Sequence, residues 1–377
     1  MIIKTKEFKE VANTILLATA VDKSKISLEL AAKKGNLYLN TTNKEFYVAV
    51  KFPLDEVVEF RAVVEAQAFL NLISGITAPE FELLVDEQKV TIKVGKSQYK
   101  IPLIYENTEL MTLKPIRIGT VTAEMPIDID ILKSILNVNS KELLKLKNAI
   151  NVSEVSKLYY IDETGCYTFT TGACKNSFHL EKPIKLLLND RIIKLFKLFD
   201  ESVYFKFGFD QLANGTPQQK VSFETENIYV AAIVTCDEIL LNKFPPAINA
   251  LKDILETSYS SHIVVSAADV ASALNRLMQF TKNTVESADL NSLIGTFTFT
   301  DNEMLIADDH GNVEAIDIEN GSYVGTDYTM LANLNHLKLV VDSCKNDHIT
   351  INFGNGKAIV INRGTITNYL PEVRQKH

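Results

Sequence analysis

The sequence predicts an α+β protein built as three repeats of one domain, and three observations carry that prediction. Apolar stripes at helical spacing alternate with β-rich runs. The same order of helix, paired strands, helix, paired strands comes round three times in 377 residues. A proline-bearing stretch separates each round from the next. An internal repeat of long period outweighs any single local signal, because each round must bury its own core in the same way. The stretches Leu113 to Thr120 and Phe244 to Leu251 read as linkers, since domain boundaries often carry proline beside small or polar residues. The expected domains are therefore 1–119, 120–247 and 248–377.

In the first round, Phe8, Val11, Ala12, Ile15 and Leu16 fall on one helical face, with Lys6, Glu10 and Asn13 opposite. Two β-rich runs follow, GNLYLNTT and KEFYVAVKF, then a short helix over Ala66 to Ser74. FELLVDEQKVTIKVG reads as a hairpin and SQYKIPLIY as a further strand.

The second round opens with Ile131, Leu132, Ile135 and Leu136 on a helix that carries Lys133 on its flank. KLYYIDETGCYTFTT predicts a hairpin turning at Glu163, Thr164 and Gly165. NDRIIKLFKLF predicts a helix burying Ile192, Leu195, Phe196 and Phe199, with Lys194 and Lys197 on the other side. VYFKFGF, QKVSFET and NIYVAAIV supply strands.

In the third round Ser266 is placed to cap a helix that buries Val270, Ala273, Leu274, Leu277 and Met278, with Arg276 and Gln279 off the stripe. GTFTFTDNEMLIAD predicts a hairpin and DYTMLANLNHLKLVVDS the second helix. HITINFGNGKAIVIN predicts a last hairpin, turning at Asn355-Gly356.

Hydrophobic residues make up 46% and charged residues 23%, the balance of a soluble globular chain. No apolar run approaches the roughly 18 residues of a membrane span. The opening MIIKTKEFKE lacks the layout of a secretion signal, so the expected compartment is the cytoplasm. Cys166, Cys174, Cys236 and Cys344 form no CxxC pair and read as reduced, partly buried thiols. The net charge of −8 argues against a protein that grips nucleic acid by affinity, because such proteins release counterions through a basic surplus. It leaves open one that holds a duplex by topology and needs only a local basic lining.

No catalytic constellation emerges, and the chain is read as neither an enzyme nor a holder of any metal or cofactor. Asp308, Asp309 and His310 sit in a turn-forming ADDHGN context between strand runs. Gly354 to Lys357 imitate a phosphate loop but lead into a strand rather than a helix.

Several phrases, in order and over nearly the whole chain, resemble the bacterial-type sliding clamp, the β subunit of DNA polymerase III. They include EFRAVVEAQAFLNLISGI, KVTIKVGKSQYKIPLIY, AEMPIDIDILKSIL with methionine before the proline where the family has leucine, CDEILLNKFPP, and DYTMLANLNHLKLVVDSCKNDHITINF. The resemblance implies three clamp domains per chain, each with two helices lining the inside and antiparallel sheets outside, closed head-to-tail into a ring as a homodimer. Twelve helices spaced about 10 Å apart would leave a hole of about 28 Å, wide enough for a duplex. It further implies a DNA-replication processivity factor that encircles double-stranded DNA without reading sequence, and whose partners are the DNA polymerase and a clamp loader.

On that reading Lys6, Lys9, Lys133, Lys194, Lys197, Arg276 and Lys338 face DNA. The family's partner-peptide cleft, carried over by position, gives Thr171, Gly172, Pro245, Val360 and Ile361, the last two on the expected final strand. Two departures mark a divergent or phage member: TTGACKN replaces the family's polar-basic turn, and RGTITNYLPEVRQKH runs on past that strand. The rival reading is a repeated α+β structural scaffold without DNA, distinguished by whether Lys133, Lys194, Lys197 and Arg276 converge on one concave surface.

Overall fold

A computed structural model of the chain describes residues 1–21, 26–43, 45–138, 158–169, 172–212, 214–234, 238–255, 258–284, 293–300, 303–318, 323–344, 347–356 and 358–373. The described chain is α+β with antiparallel sheets, and one order of elements recurs three times. The first round runs β1 (Ile2–Lys4), α1 (Thr5–Ala20), β2 (Ser27–Lys33), β3 (Asn36–Thr42), β4 (Phe46–Pro53), β5 (Phe60–Glu65), α2 (Ala66–Gly75), β6 (Glu80–Val85), β7 (Lys89–Val94) and β8 (Ser97–Pro102). A two-residue hairpin, β9 (Tyr105–Glu106) with β10 (Glu109–Leu110), leads on.

The second round repeats the order. It comprises β11 (Thr120–Ile127), α3 (Ile129–Leu136), β12 (Leu158–Asp162), β13 (Gly165–Phe169), β14 (Ala173–Ser177), β15 (Lys185–Asn189), α4 (Asp190–Lys194), β16 (Val203–Gln211), β17 (Pro217–Glu224) and β18 (Ile228–Ile233). α4 tightens into a 3-10 turn over Leu195–Leu198. Two helices then bridge to the third round, α5 (Glu238–Leu241) and α6 (Phe244–Leu255). The third round runs β19 (Ser261–Ser266), α7 (Ala267–Thr284), β20 (Ile294–Phe299), β21 (Glu303–Ala307), β22 (Val313–Asp317), a short β23 (Tyr323–Val324), β24 (Tyr328–Asn333), α8 (Leu334–Ser343), β25 (His348–Phe353), β26 (Ala358–Arg363) and β27 (Ile366–Pro371).

Each round makes the same two four-stranded arrays. One takes the first strand and the last three, in the orders β1-β6-β7-β8, β11-β16-β17-β18 and β19-β25-β26-β27. The other takes the middle four, in the orders β5-β2-β3-β4, β15-β12-β13-β14 and β24-β20-β21-β22. Two seams join arrays edge to edge. β18 pairs with β4 from Ile228↔Val50 to Ala232↔Phe46, and β27 pairs with β14 from Tyr369↔Ala173 to Ile366↔Asn176. The edges of β8 and β22 have no partner strand among the described residues.

The chain forms two compact units, residues 1–133 with 191–236 and residues 134–190 with 237–377. Within the first, α1 carries Phe8, Ala12 and Ile15 inward at helical spacing. The Phe8 ring meets Phe52 at 5.1 Å and Phe81 at 5.6 Å, both edge-on. Fully burying such a ring stabilises the core by about 1.5–3 kcal/mol. In the second unit Val270, Ala273, Leu274, Leu277 and Met278 of α7 are buried with Phe297, Phe299 and Phe353, the last two stacked at 4.0 Å.

Strands run straight into helices, and short polar side chains close several of the turns. Glu65 accepts from the amides of Gln67 and Ala68 at the start of α2. Ser266 accepts from Asp269 at 3.3 Å, as the sequence predicts, and Asn333 from His336 at 3.1 Å.

Two expectations need correction, and two further segments take a form the sequence does not predict. β2, SLELAAK, for which the sequence predicts no element, is a strand, held in place by β3 and β5 on either side. The first part of DYTMLANLNHLKLVVDS is β24, paired with β20, and only the remainder is helical. Phe244 to Leu251, read as a linker, is part of α6, whose two prolines sit in the first turn, where amides have no helical acceptor. Finally, the last strand is β27 and not the one holding Val360 and Ile361. Gly364, at φ +55°, reverses the chain, and β27 returns along β26. No helix among the described residues is long and apolar enough to cross a membrane.

Candidate functional site

The helices of the repeat supply one candidate surface. In the first unit α1 packs against α2 and against the 3-10 turn that follows α4, so three helical segments lie side by side. Lys6 and Lys197 are exposed on this layer, with Lys9 and Lys194 partly exposed. Lys133, near the end of α3, is exposed as well. Lys6, Lys9, Lys133 and Lys197 have no ion-pair partner among the described residues, which leaves their ammonium groups available to an outside anion. Glu7 and Glu10 stand among them on α1, and Glu7 is drawn to Lys4 at 3.8 Å.

In the second unit α7 packs against α8. The two expected cations here are both engaged. Arg276 donates three hydrogen bonds to the Glu314 carboxylate on β22, at 2.6 to 3.1 Å. That carboxylate pushes the guanidinium pKa up. Lys338 pairs with Asp342 one turn along α8 at 2.8 Å. Neither residue is a spare charge in this conformation.

Counted over the six repeating helices, described basic side chains slightly outnumber acidic ones: Lys6, Lys9, Lys133, Arg191, Lys194, Lys197, Arg276 and Lys338 against Glu7, Glu10, Asp130, Asp190, Asp269 and Asp342. The chain as a whole carries −8, so the acidic excess lies off these helices. Such a bias favours loose, sequence-blind contact with phosphates over tight binding.

A second candidate surface lies around α6 in the second unit. Phe244 stacks on Tyr160 at 5.1 Å and meets Phe169 edge-on at 5.9 Å. Around this core, Leu158, Phe169, Ala173, Leu241 and Tyr369 are only partly buried. Of the residues expected at a partner cleft, Gly172 is here: a β-carbon on it would run into the Tyr369 carbonyl, so glycine lets β27 close on β14. Pro245 follows Phe244 and is partly exposed. Val360 and Ile361 are 3% and 0% exposed, and Ile361 belongs to the third-round core, so neither offers surface to a partner. Thr171 lies outside the described residues. Tyr369, Phe169 and Leu241 went unread because Tyr369 sits in a polar segment, ITNYLP, that carries no apolar run.

Chemistry is sparse elsewhere. Asp308 forms the expected turn, accepting from the amides of His310 and Asn312. No group of three metal-ligating side chains occurs among the described residues. Cys166, Cys174 and Cys344 are buried, and burial pushes the thiol pKa values of Cys166 and Cys344 up; Cys236 lies outside the described residues.

Neither a protein-family model nor a curated protein sequence matches the chain. Solved structures do. The β subunit of the Streptococcus pyogenes DNA polymerase is similar with a TM-score of 0.75 and 15% identity over 99% of both chains. DNA polymerase III subunit β of Borrelia burgdorferi, in complex with a natural product, gives 0.74 and 17% over 100% of this chain and 99% of that one. The Helicobacter pylori β clamp bound to a DNA ligase peptide gives 0.67 and 14% over 99% of both. The three rounds of paired arrays, read with these end-to-end similarities, give the chain the fold of the bacterial DNA polymerase III β subunit, the three-domain sliding-clamp fold.

Proposed function

We propose that this protein is a DNA sliding clamp: a ring that encircles duplex DNA, tethers the replicative polymerase and performs no chemistry itself. The observation that carries the reading is the pattern of seams. The last strand of one kind of array joins the fourth strand of the other kind at β18–β4 and again at β27–β14. A third joint of the same kind would need β8 and β22, the last strand and the fourth strand that have no partner of this kind among the described residues. Supplied by a second copy, that joint makes a head-to-tail homodimer, and such contacts must close into a ring or else polymerise. The domains of such a ring would be 1–119, 120–247 and 248–377.

The unpaired Lys6, Lys9, Lys133 and Lys197 support the DNA-facing role of the helices, with Lys194 beside them. Arg276 and Lys338 would contribute only by exchanging Glu314 and Asp342 for phosphate. Partner peptides of the polymerase and loader would dock beside Gly172, Pro245 and Tyr369, a reading supported by the partly exposed apolar side chains there. The protein would act in the cytoplasm.

Retention on a nicked circular plasmid tests this. Loaded protein should survive a high-salt wash and leave once the circle is cut, because topology rather than charge holds it. Adhesive binding would show the reverse, persisting on linear DNA and falling steeply with salt.

A further inference from the structure

The two seams share a register and differ in what covers them. At β18–β4 Tyr229 stands opposite Ala49, and at β27–β14 Tyr369 stands opposite Ala173. Over the second seam the connecting chain delivers Phe244, which packs with Ala173 and Tyr369. Over the first, the connecting chain brings the smaller Ile116, in a cluster with Tyr47 and Ala231 against which Ala49 and Tyr229 pack. Beside Ile116 a cavity of about 700 Å³ remains, between the sheet and Leu113 and Pro115 of the strap. Pockets of about 300–1,000 Å³ hold drug-sized ligands.

The cavity is a built feature rather than slack in a loop. Three hydrogen bonds pin the strap: Arg61 to the Met111 carbonyl at 2.6 Å, Tyr229 to that of Ile116 at 2.9 Å, and Lys220 to that of Arg117 at 3.0 Å. Inside, the buried Glu29 carboxylate accepts from Arg61 and, at 2.8 Å, from Asn40. Small residues, Ala31 and Ala49, keep the floor low, while the Tyr47 and Tyr229 rings stand 6.2 Å apart.

Charge selects the occupant. Glu29 is answered by Arg61, which leaves Lys33 and Arg117 on the lining without a carboxylate partner among the described residues. Lys33 lies 5.0 Å over the Tyr38 ring. The lining is thus cationic in a chain of net −8. We propose that this cavity is a docking site for a partner protein's peptide carrying an aromatic side chain flanked by carboxylates: the ring packs in the cavity beside Tyr47, Ala49 and Tyr229, and the carboxylates reach Lys33 and Arg117. The occupant's ring would gain face or edge contacts with tyrosine, and its acids a partly desolvated ion pair. This goes beyond the proposed function and does not depend on DNA.

The test uses the full chain without DNA. The probe is the peptide acetyl-Glu-Asp-(4-fluorophenylalanine)-Glu-Asp-amide, followed by its fluorine resonance. Saturable broadening is expected below about 1 mM. Ala49→Phe, which fills the floor, should abolish it. Lys33→Glu with Arg117→Glu should weaken it at least about tenfold, the effect of losing about 1.4 kcal/mol. That same double variant should gain binding to a probe with lysines in place of the acids, which a misfolded protein would not do. Absence of saturable binding, or binding indifferent to these variants, overturns the proposal. Displacement of the probe by adenosine monophosphate that binds more tightly overturns it too, since the cavity would then serve a nucleotide.

Discussion

Gly172 shows how much one missing atom can decide. Its α-carbon faces the Tyr369 carbonyl across the second seam, and no side chain fits between them. Gly172→Ala forces the strands apart or shifts β27, so it should cost about 1–3 kcal/mol, as overpacking does. Urea unfolding of the pure protein checks this, and a midpoint equal to the parent's would refute it. Single residues were the least legible level of the sequence. Gly172 and Pro245 were assigned by their neighbours in sequence, and each adjoins a residue of one apolar cluster, Ala173 and Phe244. Val360 and Ile361 were assigned to the last strand because IVIN is the last apolar run, whereas the true last strand interleaves Asn368 and Thr367 with Ile366 and Leu370. A strand that pairs on both sides needs backbone, not an unbroken apolar run, to hold its place. The ion pair of Arg276 was equally invisible, since Glu314 lies 38 residues away, whereas Asp342, four residues from Lys338 on the same helix, was within reach of sequence reasoning.

At the level of elements, amphipathic spacing gave α1, α2, α3 and α7 almost to their ends, because a stripe buried against a sheet is written directly in the residue order. It failed where neighbours overrule local preference. SLELAAK would suit a helix, yet two flanking strands claim its backbone. NDRIIKLFKLF begins as α4 and tightens to a 3-10 turn that buries Leu195, Phe196 and Leu198. α6 begins in a stretch that reads only as a linker, although prolines at a helix start are compatible with helix. Its Phe244 is 0% exposed and sits between Tyr160 and Phe169. Phe244→Ala should therefore cost about 3–5 kcal/mol. Hydrogen exchange should show the loss first in β12, β13 and α6, and protection unchanged in those segments would contradict the packing described.

Across the whole molecule, the threefold repeat was the most legible feature, because three separate cores must each be encoded and each leaves the same succession of stripes. The seams were not legible: which edge meets which depends on strands more than a hundred residues apart. The open edges of β8 and β22 carry Tyr99 at 44% and Val313 at 57% exposure. Aspartates at both positions would set like charges along the proposed joint, so Tyr99→Asp with Val313→Asp should give a monomer in sedimentation while the melting temperature stays close to the parent's. A dimer surviving both changes would count against closure through these edges.

The second seam also sets a timetable for synthesis. Asn176 accepts from the Thr365 hydroxyl across a separation of 189 residues. β14 therefore leaves the ribosome with one flank bare, and the strand that covers it emerges 189 residues later. A nascent chain would carry that raw edge throughout the interval, so a chain lacking β27 would be sticky along β14 rather than merely shortened.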